Sequence, residues 1–564
     1  MAPISHAMVL GLALLGLAAC GAPPKPAPPE AAAPAVPHER LNRLVDRYWD
    51  ERASRGDPIS AQQTADSLAV ERRYMAEVLA VPRAGLDADS RLTYDIFKRQ
   101  LELNIEGFTY PDELMPVNPF RGPWLQLARS AADTAQRPFR DARDCENWLR
   151  QIDDFAAWSR QAIANMREGM RRGYTSPRSA MQRVLPLLKL LGEDTSANVF
   201  YLPVQTQPQT CLTQALSGAA KDKVLPAYRE LHDFIQSEYL PRARESLALS
   251  VLPLGPSWYA FLVRRATDSA REPKEIHAVG LAEVDRLQAR LSSQPPGAPP
   301  AGAVPAGALP KDAAELVQGY QLLEAQILAA MPGLFAAVPP AEFEIRAGDR
   351  FIDASAPLVY RAAAPGGGPA VLYVNAAPLG MRRAGVETPS FLQEAIPGRH
   401  YQSSVQQARA DLPKFRRFGA DPGFVDGWAL YAASLGEELG VIREDEARRG
   451  VLLGQLRCAA ALVVDTGLHA MDWTREQAAD YLRAQLAADA AEVNLMIDRF
   501  AALPGDALAC KMGELRIRAL RNRAQTVLGT RFDTLQFHSQ ILKDGAMPLD
   551  ILEAKIRLWM ETRP

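Results

Sequence analysis

The chain has 564 residues, 48% of them hydrophobic, enough to bury a large core in one lobe or two. Its 64 Lys and Arg nearly balance 66 Asp and Glu, for a net charge of −2, so no basic surplus argues for nucleic acid. The 44 prolines concentrate in two stretches that cannot be core, one near the N-terminus and one internal.

Val9 to Ala19 is an apolar run of signal-peptide length, too short to cross a membrane as a mature helix. It ends in Leu17-Ala18-Ala19-Cys20. Small residues before a Cys at this place resemble the bacterial lipobox, which implies cleavage before Cys20 and a lipid on its thiol. No Lys or Arg precedes the run, and the alternative is a plain secretory signal with a chance Cys. Gly21, where an Asp would stand for retention, points away from the inner membrane. Residues 1–19 are therefore expected to be a signal peptide. Residues 20–37 are expected to be a lipidated Cys and a Pro/Ala-rich, nearly uncharged tether that stays extended. The expected address is the bacterial cell envelope, lipid-anchored in the outer membrane and facing the periplasm.

Cys145, Cys211, Cys458 and Cys510 follow in a chain whose export signal leads to an oxidising space. Four Cys allow three connectivities, and buried free thiols are the alternative. No C-x-x-C occurs, so a Cys-based zinc site is not expected.

From 38 to 564 the pattern is that of a single helical body. Leu41, Leu44, Val45 and Tyr48 recur at the spacing of a buried helical face, and Tyr94, Ile96, Phe97 and Leu101 continue it. Trp148 to Arg172 reads as a long amphipathic helix begun at Asp144 or Glu146. Val224 to Leu247 reads as another, with Pro226 in its first turn and Pro241 as a kink or end. Pro273 to Leu291 is a further helix, and Lys311 to Ala330 resumes the pattern. Ser292 to Pro310 is low-complexity and reads as a flexible surface insertion. Phe343-Glu344-Ile345 and Val371-Leu372-Tyr373-Val374 read as short strands, with Gly366 to Gly368 turning between them. An edge strand of such a sheet can hold extended peptide. Thr474-x-x-Gln477 is a capping box opening a helical segment to Arg499, and Lys511 to Leu528 follows Pro504-Gly505.

Phe391 to Gln402, FLQEAIPGRHYQ, carries the chemistry. A Glu and a His in one short apolar segment are the material of a zinc peptidase helix, where two His hold the metal and the Glu works on water. Here the residue before Glu394 is Gln393, and a first His is missing.

The run from about Trp258 to Leu552 resembles a large bacterial family known as domain of unknown function 885, a mostly helical, zincin-like group. The matching pieces are Glu275-Ile276-His277-x-x-Gly280, Tyr373-Val374-Asn375, Glu394-x-x-Pro397-Gly398-x-His400-x-Gln402 and Gly427-Trp428-Ala429-Leu430-Tyr431. Further along come Val464-Asp465-Thr466-Gly467-Leu468-His469, Trp473 to Ala478, and Phe537-His538. The resemblance implies a metallopeptidase-like site with a central His-Glu-x-x-Pro-Gly-His-His and a Glu before Gly-Trp-Ala as third ligand. Carried over, the first His falls on Gln393, the second on Arg399 and the Glu on Asp426, while Glu394, the implied general base, and His400 keep the pattern. His469 matches the implied oxyanion-side His, although such a His on an apolar helix is also commonly a core residue bonded to backbone. Asp465 is placed to orient it. His277 and His538 read as structural, Trp428 and Tyr431 as core. Met496-Ile497, Phe500, Asp506 and Cys510 stand where the family tends to have Glu-Val, Tyr, Gln and Tyr. Cys458 and Cys510 flank the implied cleft, and their Cα atoms are expected within the ~7 Å limit of a bridge.

The resemblance thus implies a mainly α fold, a large helical zincin-like body with a small β-sheet at the cleft edge. Zinc wants about three ligands from imidazole, thiolate or carboxylate. Gln is a weak ligand, and Arg a fixed cation that repels a metal ion. Two readings follow. In the first, no metal or other cofactor binds and the cleft takes peptide or an envelope protein, with Arg399, His400, Tyr373 and Asn375 as ligand-binding residues. In the second, an active hydrolase holds zinc through rearranged ligands, namely His400, Asp426 and either Glu394 or Glu437. Gln393 to His400 spans ~10 Å of ideal helix, so these residues share a site only if Pro397-Gly398 folds the chain back. Arg399, Gln393 and Asp426 are expected to converge beside Glu394, under the helices that carry Asp426 and His469.

Overall fold

The sequence periodicities reappear as buried faces. In a computed structural model, Leu41, Leu44, Val45 and Tyr48 are the buried residues of the helix Pro37–Arg55. The structure describes residues 37–562 apart from 56–58, 135–136, 138, 207–212, 295–311, 337–340, 349–355, 364, 366–367, 376–386 and 444. The expected signal peptide, Cys20, all of the 20–37 tether except Pro37, which opens the first helix, and nearly all of the 292–310 insertion lie outside the described residues.

Helices make up most of the described chain. Asp141, not Asp144 or Glu146, starts the long helix Ala142–Arg172, because its carboxylate accepts the Arg143 and Asp144 N–H groups that have no helical partner. The segment expected from Val224 begins earlier, at Thr213, and runs on through π-helical turns at Ala220–Val224 and Ile235–Tyr239. The first of these wider turns falls where Pro226 removes an N–H from the ladder. Pro241 ends the run in the short 3₁₀ turn Leu240–Arg242, as expected. The Thr474 capping box forms, with the Thr474 side chain on the Gln477 N–H and the Gln477 side chain on the Thr474 N–H. The segment it opens is two helices, Arg475–Leu486 and Ala490–Ala502, since Ala487 turns left-handed and Asp489 caps afresh.

The sheet has three strands, β1 (Phe343–Ala347), β2 (Leu358–Arg361) and β3 (Ala370–Val374), in the order β1-β3-β2. β3 pairs parallel to β1, Phe343 opposite Ala370, and antiparallel to β2, Leu358 opposite Val374. The four-residue β2 was not foreseen. It makes β3 the central strand, buried at every position, so Tyr373 lies in the middle of the sheet and the free edges belong to β1 and β2.

Two features hold the helices around the candidate site. The helices Pro422–Ala433 and Leu508–Leu528 cross almost backbone to backbone: a Cβ on Gly427 would lie 2.4 Å from Gly513, and one on Gly513 2.0 Å from the Gly423 carbonyl. Cys458 and Cys510 form a disulfide, Cα atoms 6.1 Å apart, tying Leu508–Leu528 to the helix Asp445–Ala470. Cys145 is disulfide-bonded as well, and Cys211 lies outside the described residues. Asp445–Ala470 is long and apolar enough to cross a membrane, but 72% of its apolar window is buried inside the fold, as in a core helix.

Candidate functional site

The helix Glu387–Glu394 stops where Ile396-Pro397 and Gly398 reverse the chain, and the helix Arg399–Ala408 leaves in a new direction. Gly398 passes so near the previous turn that a Cβ there would meet the Gln393 carbonyl oxygen at 1.9 Å. Only glycine fits that approach. Trp428, fully buried, donates its indole N–H to the Pro397 carbonyl at 2.9 Å, and the Tyr401 N–H reaches the Ala395 carbonyl at 3.2 Å. The reversal sets Arg399 beside Glu394 and under Asp426 of the helix Pro422–Ala433.

The Arg399 guanidinium bridges the two carboxylates. Nη1 donates to Asp426 Oδ1 at 2.5 Å, and Nε donates to Glu394 Oε1 at 3.2 Å with Oε2 at 3.1 Å. Gln393 donates its amide to Glu394 Oε1 at 3.3 Å. The expected convergence of Gln393, Glu394, Arg399 and Asp426 is therefore present. The side chains of Arg399, Glu394 and Asp426 are 24%, 16% and 29% exposed, so water reaches the cluster from one side. Burial works against the charge on Arg399, but Asp426 and then Glu394 outweigh it and hold the guanidinium pKa above its ordinary value. Two carboxylates and one guanidinium leave the cluster with one net negative charge.

These residues do not fit the zinc site that the resemblance implies. The space between the carboxylates holds a guanidinium, both carboxylates are engaged with it, and the other candidate is a neutral amide. Among the described residues no group of three or more His, Cys, Asp or Glu is placed to hold a metal ion.

The remaining sequence candidates lie elsewhere. His400 points away from Arg399 and into the sheet. Its Nε2–H donates to the Ala341 carbonyl at 2.8 Å, Nδ1 accepts from the Tyr360 hydroxyl at 3.2 Å, and the ring lies 4.4 Å from that of Phe343. Burial pushes its pKa down to about 4. Both nitrogens are spent, which removes His400 from the rearranged ligand set, and Glu437 pairs with Arg448 at 2.7 Å. His469 is a fully buried core residue: the Leu249 N–H donates to Nδ1 at 3.0 Å, and Nε2–H donates to the Phe500 carbonyl at 3.0 Å. Burial takes its pKa to about 4 as well. Asp465 does not orient it. The Asp465 carboxyl is bonded to the Tyr259 hydroxyl at 2.6 Å and the Gly505 N–H at 3.0 Å, and burial pushes it up to about 7. Tyr373 donates to Asp133, which Arg361 also pairs, and the Asn375 amide extends toward the Ala356 carbonyl at 3.5 Å. His277 on Thr466, and His538 between Tyr431 and the Leu334 carbonyl, are structural as expected.

Sequence reasoning missed a buried ion network behind the glycine crossing. Lys511, fully buried, lies 2.9 Å from Glu283 and 3.0 Å from Glu514, and Arg286 and Arg518 complete the carboxylates. Burial would raise Glu283, but Arg286 and Lys511 prevail and take it down to about 2. Only the i, i+3 spacing of Lys511 and Glu514 hints at this in the sequence. An open groove of about 440 Å³, lined by His38, Asp87, Thr93, Asp411 and Pro413 among others, shares no residue with the Arg399 cluster.

Comparison with known proteins bears on the whole chain. The family model described as "Bacterial protein of unknown function (DUF885)" matches residues 46–556. The crystal structure of the "putative lipoprotein" from Colwellia psychrerythraea superposes with a TM-score of 0.79 at 22% identity, covering 93% of this chain and 99% of that one. A "putative lipoprotein of unknown function" from Shewanella oneidensis gives 0.63 at 15%, covering 92% and 99%. At these identities the likeness establishes the fold. No curated protein matches the chain.

Proposed function

This chain belongs to the DUF885 family of bacterial proteins of unknown function, and we propose that it is an envelope lipoprotein whose metallopeptidase-like site has lost its metal. On this reading Cys20 carries the lipid, and the body faces the periplasm from the outer membrane. The fold is zincin-like, and the protein binds peptide or another envelope protein and does not cleave it.

The observation that carries the proposal is the guanidinium of Arg399 between Glu394 and Asp426. Where the resemblance places a divalent ion over a general base, a fixed monovalent cation neutralises the same carboxylates and cannot polarise water or a carbonyl as a Lewis acid. Arg399 spends Nε and Nη1 on its own neighbours, so a ligand carboxylate is not its natural partner. The cluster's net negative charge suits an amino terminus or a Lys or Arg side chain of the bound peptide. The solved relatives with the same fold are described as lipoproteins, in keeping with the lipobox-like Leu17 to Cys20.

Elemental analysis of the full chain, purified with zinc supplied, tests the site. The expected result is far less than one zinc per chain. The triple variant Gln393→His, Arg399→His, Asp426→Glu should gain zinc. Stoichiometric zinc in the unmodified protein, or a chelator-sensitive peptidase activity abolished by Glu394→Ala, would overturn the proposal in favour of an active hydrolase. For the address, Cys20→Ala should lose membrane association, and unchanged fractionation would contradict the anchor.

A further inference from the structure

We infer that the loop from Ala248 to Gly255 is a rigid apolar tip that seats the body on the phospholipid surface; this rests on the lipid-anchor reading above. Val251 and Leu254 are 55% and 52% exposed at its crest, and Pro253 and Pro256 are exposed beside them. Beneath them Leu249 and Leu252 are buried with Trp258 and Tyr174, which root the loop in the core.

The crest is held, not left loose. The Leu252 N–H bonds the Leu249 carbonyl at 3.0 Å, the Gly255 N–H bonds the Leu252 carbonyl at 2.8 Å, and the Trp258 N–H bonds the Leu254 carbonyl at 2.8 Å. His469 braces the base from inside by accepting the Leu249 N–H. Gly255 closes the loop so tightly that a Cβ would lie 2.1 Å from the Leu249 carbonyl oxygen. Leu254 itself has φ +58°, a left-handed conformation that branched side chains avoid. A strained backbone that presents a large apolar side chain to solvent is a feature to be explained by what that side chain meets.

Its surroundings favour a lipid headgroup layer over a protein groove. Pro253 lies against Gly173, where a Cβ would touch it at 3.9 Å, and Gly173 follows the exposed Arg171 and Arg172. Arg171 pairs with Glu168, and Arg172 sits 5.6 Å over the Tyr174 ring. Apolar residues that insert, flanked by exposed guanidinium groups, are the composition of an interfacial membrane contact. The tether permits it. The residues 21–36 between Cys20 and the first described helix can reach at most ~55 Å when extended. The loop packs near Leu103 on the helix Ala88–Gly107, and His38 shares a groove with Thr93 on the same helix. Leu103 and Thr93 are only ~15 Å apart along the axis, so anchor and tip can meet one surface.

The test uses the full lipidated chain carrying Val251→Cys or Leu254→Cys, labelled with an environment-sensitive fluorophore. The protein is reconstituted in vesicles of phosphatidylethanolamine and phosphatidylglycerol with brominated acyl chains. A probe at either position should shift to the blue and lose most of its emission. The same probe at Val527→Cys, exposed at the far end of the helix Leu508–Leu528, should keep its aqueous emission. Unquenched probes at 251 and 254 on protein that floats with the vesicles would overturn the seat and leave the anchor standing, and equal quenching at 527 would also overturn it. Protein that does not float at all would remove the anchor reading and the seat with it.

Discussion

Replacing Arg399 by Met keeps most of the side-chain volume and removes the charge that joins two helices. The variant loses the Nη1 bond to Asp426 at 2.5 Å and the Nε contact with Glu394 at 3.1–3.2 Å. A hydrogen bond to a charged group is worth ~1.5–3 kcal/mol, and carboxylates that water can partly reach place these near the low end, so the two together come to about 3 kcal/mol. Unfolding entropy of ~2.1 cal/mol/K per residue over about 500 residues is ~1.1 kcal/mol/K, so the melting temperature should fall by about 3 °C. The loss has a second component, because Glu394 and Asp426 then face each other without a cation. Neutralising them as well, in Arg399→Met with Glu394→Gln and Asp426→Asn, should recover part of the loss. Calorimetry at about pH 7 measures the loss and the recovery. An Arg399→Met variant as stable as the parent at neutral pH, or no recovery in the triple variant, would refute the bridging role. Arg399→Met alone should not gain zinc, because it frees only two carboxylates and adds no ligand.

Three further outcomes follow from named contacts. Gly398→Ala should be more damaging than Arg399→Met, since the new methyl meets the Gln393 carbonyl at 1.9 Å and the reversal must open; melting temperature and loss of the near-ultraviolet signal of Trp428 check it. His469 has a pKa of about 4, below the ~6.5 of an unfolded His, so the unfolded chain takes up a proton that the native one refuses and stability falls as pH drops from ~6.5 to ~4, by up to about 3 kcal/mol. His469→Gln should be less stable at neutral pH and lose only the His469 share of that slope, since His400 and His538 are held near 4 as well, as melting at several pH values will show. Removing the Cys458–Cys510 bridge, which closes a separation of 52 residues, by paired Cys→Ser substitution should cost up to about 4 kcal/mol by the loop-entropy relation, read as a fall in melting temperature that reductant reproduces in the parent.

The legible part of this molecule was its local part. Leu41, Leu44, Val45 and Tyr48 declared a buried face by spacing alone, and Thr474 and Gln477 declared a cap, because each signal spans one or two turns. The helix break at Pro397-Gly398 was legible for the same reason, while the reversal of the chain there stood only as a condition for a shared site. What failed depended on partners far along the chain. His469 reads as a catalytic candidate until the Leu249 N–H and Phe500 carbonyl, 220 and 31 residues away, take its two nitrogens. His400 follows Arg399 directly, yet the next position on a helix is turned ~100° away, and it meets Ala341 and Tyr360. β2 escaped because four residues carry too little alternation to stand out, and its presence moved Tyr373 from an edge to the centre of the sheet.

The site's backbone is fixed by contacts that do not involve the side chains at 393, 399 or 426. Gly398 allows the close pass over Gln393, Trp428 pins the Pro397 carbonyl, and Gly427 on Gly513 sets the depth of the Asp426 helix. Ligands can therefore change while the frame stays, consistent with a fold retained at 22% identity. Substitution toward metal ligands would not be neutral in energy. A guanidinium inside the frame satisfies both carboxylates, so a single substitution toward a metal ligand first breaks ion pairs and leaves the ligand set incomplete. Arg399→His alone gives up both pairs and still leaves Gln393 as a neutral amide, and Gln393→His alone adds an imidazole beside a cation that repels the metal. The arrangement is a local optimum, from which a metal site would be reached only by changes at several positions together.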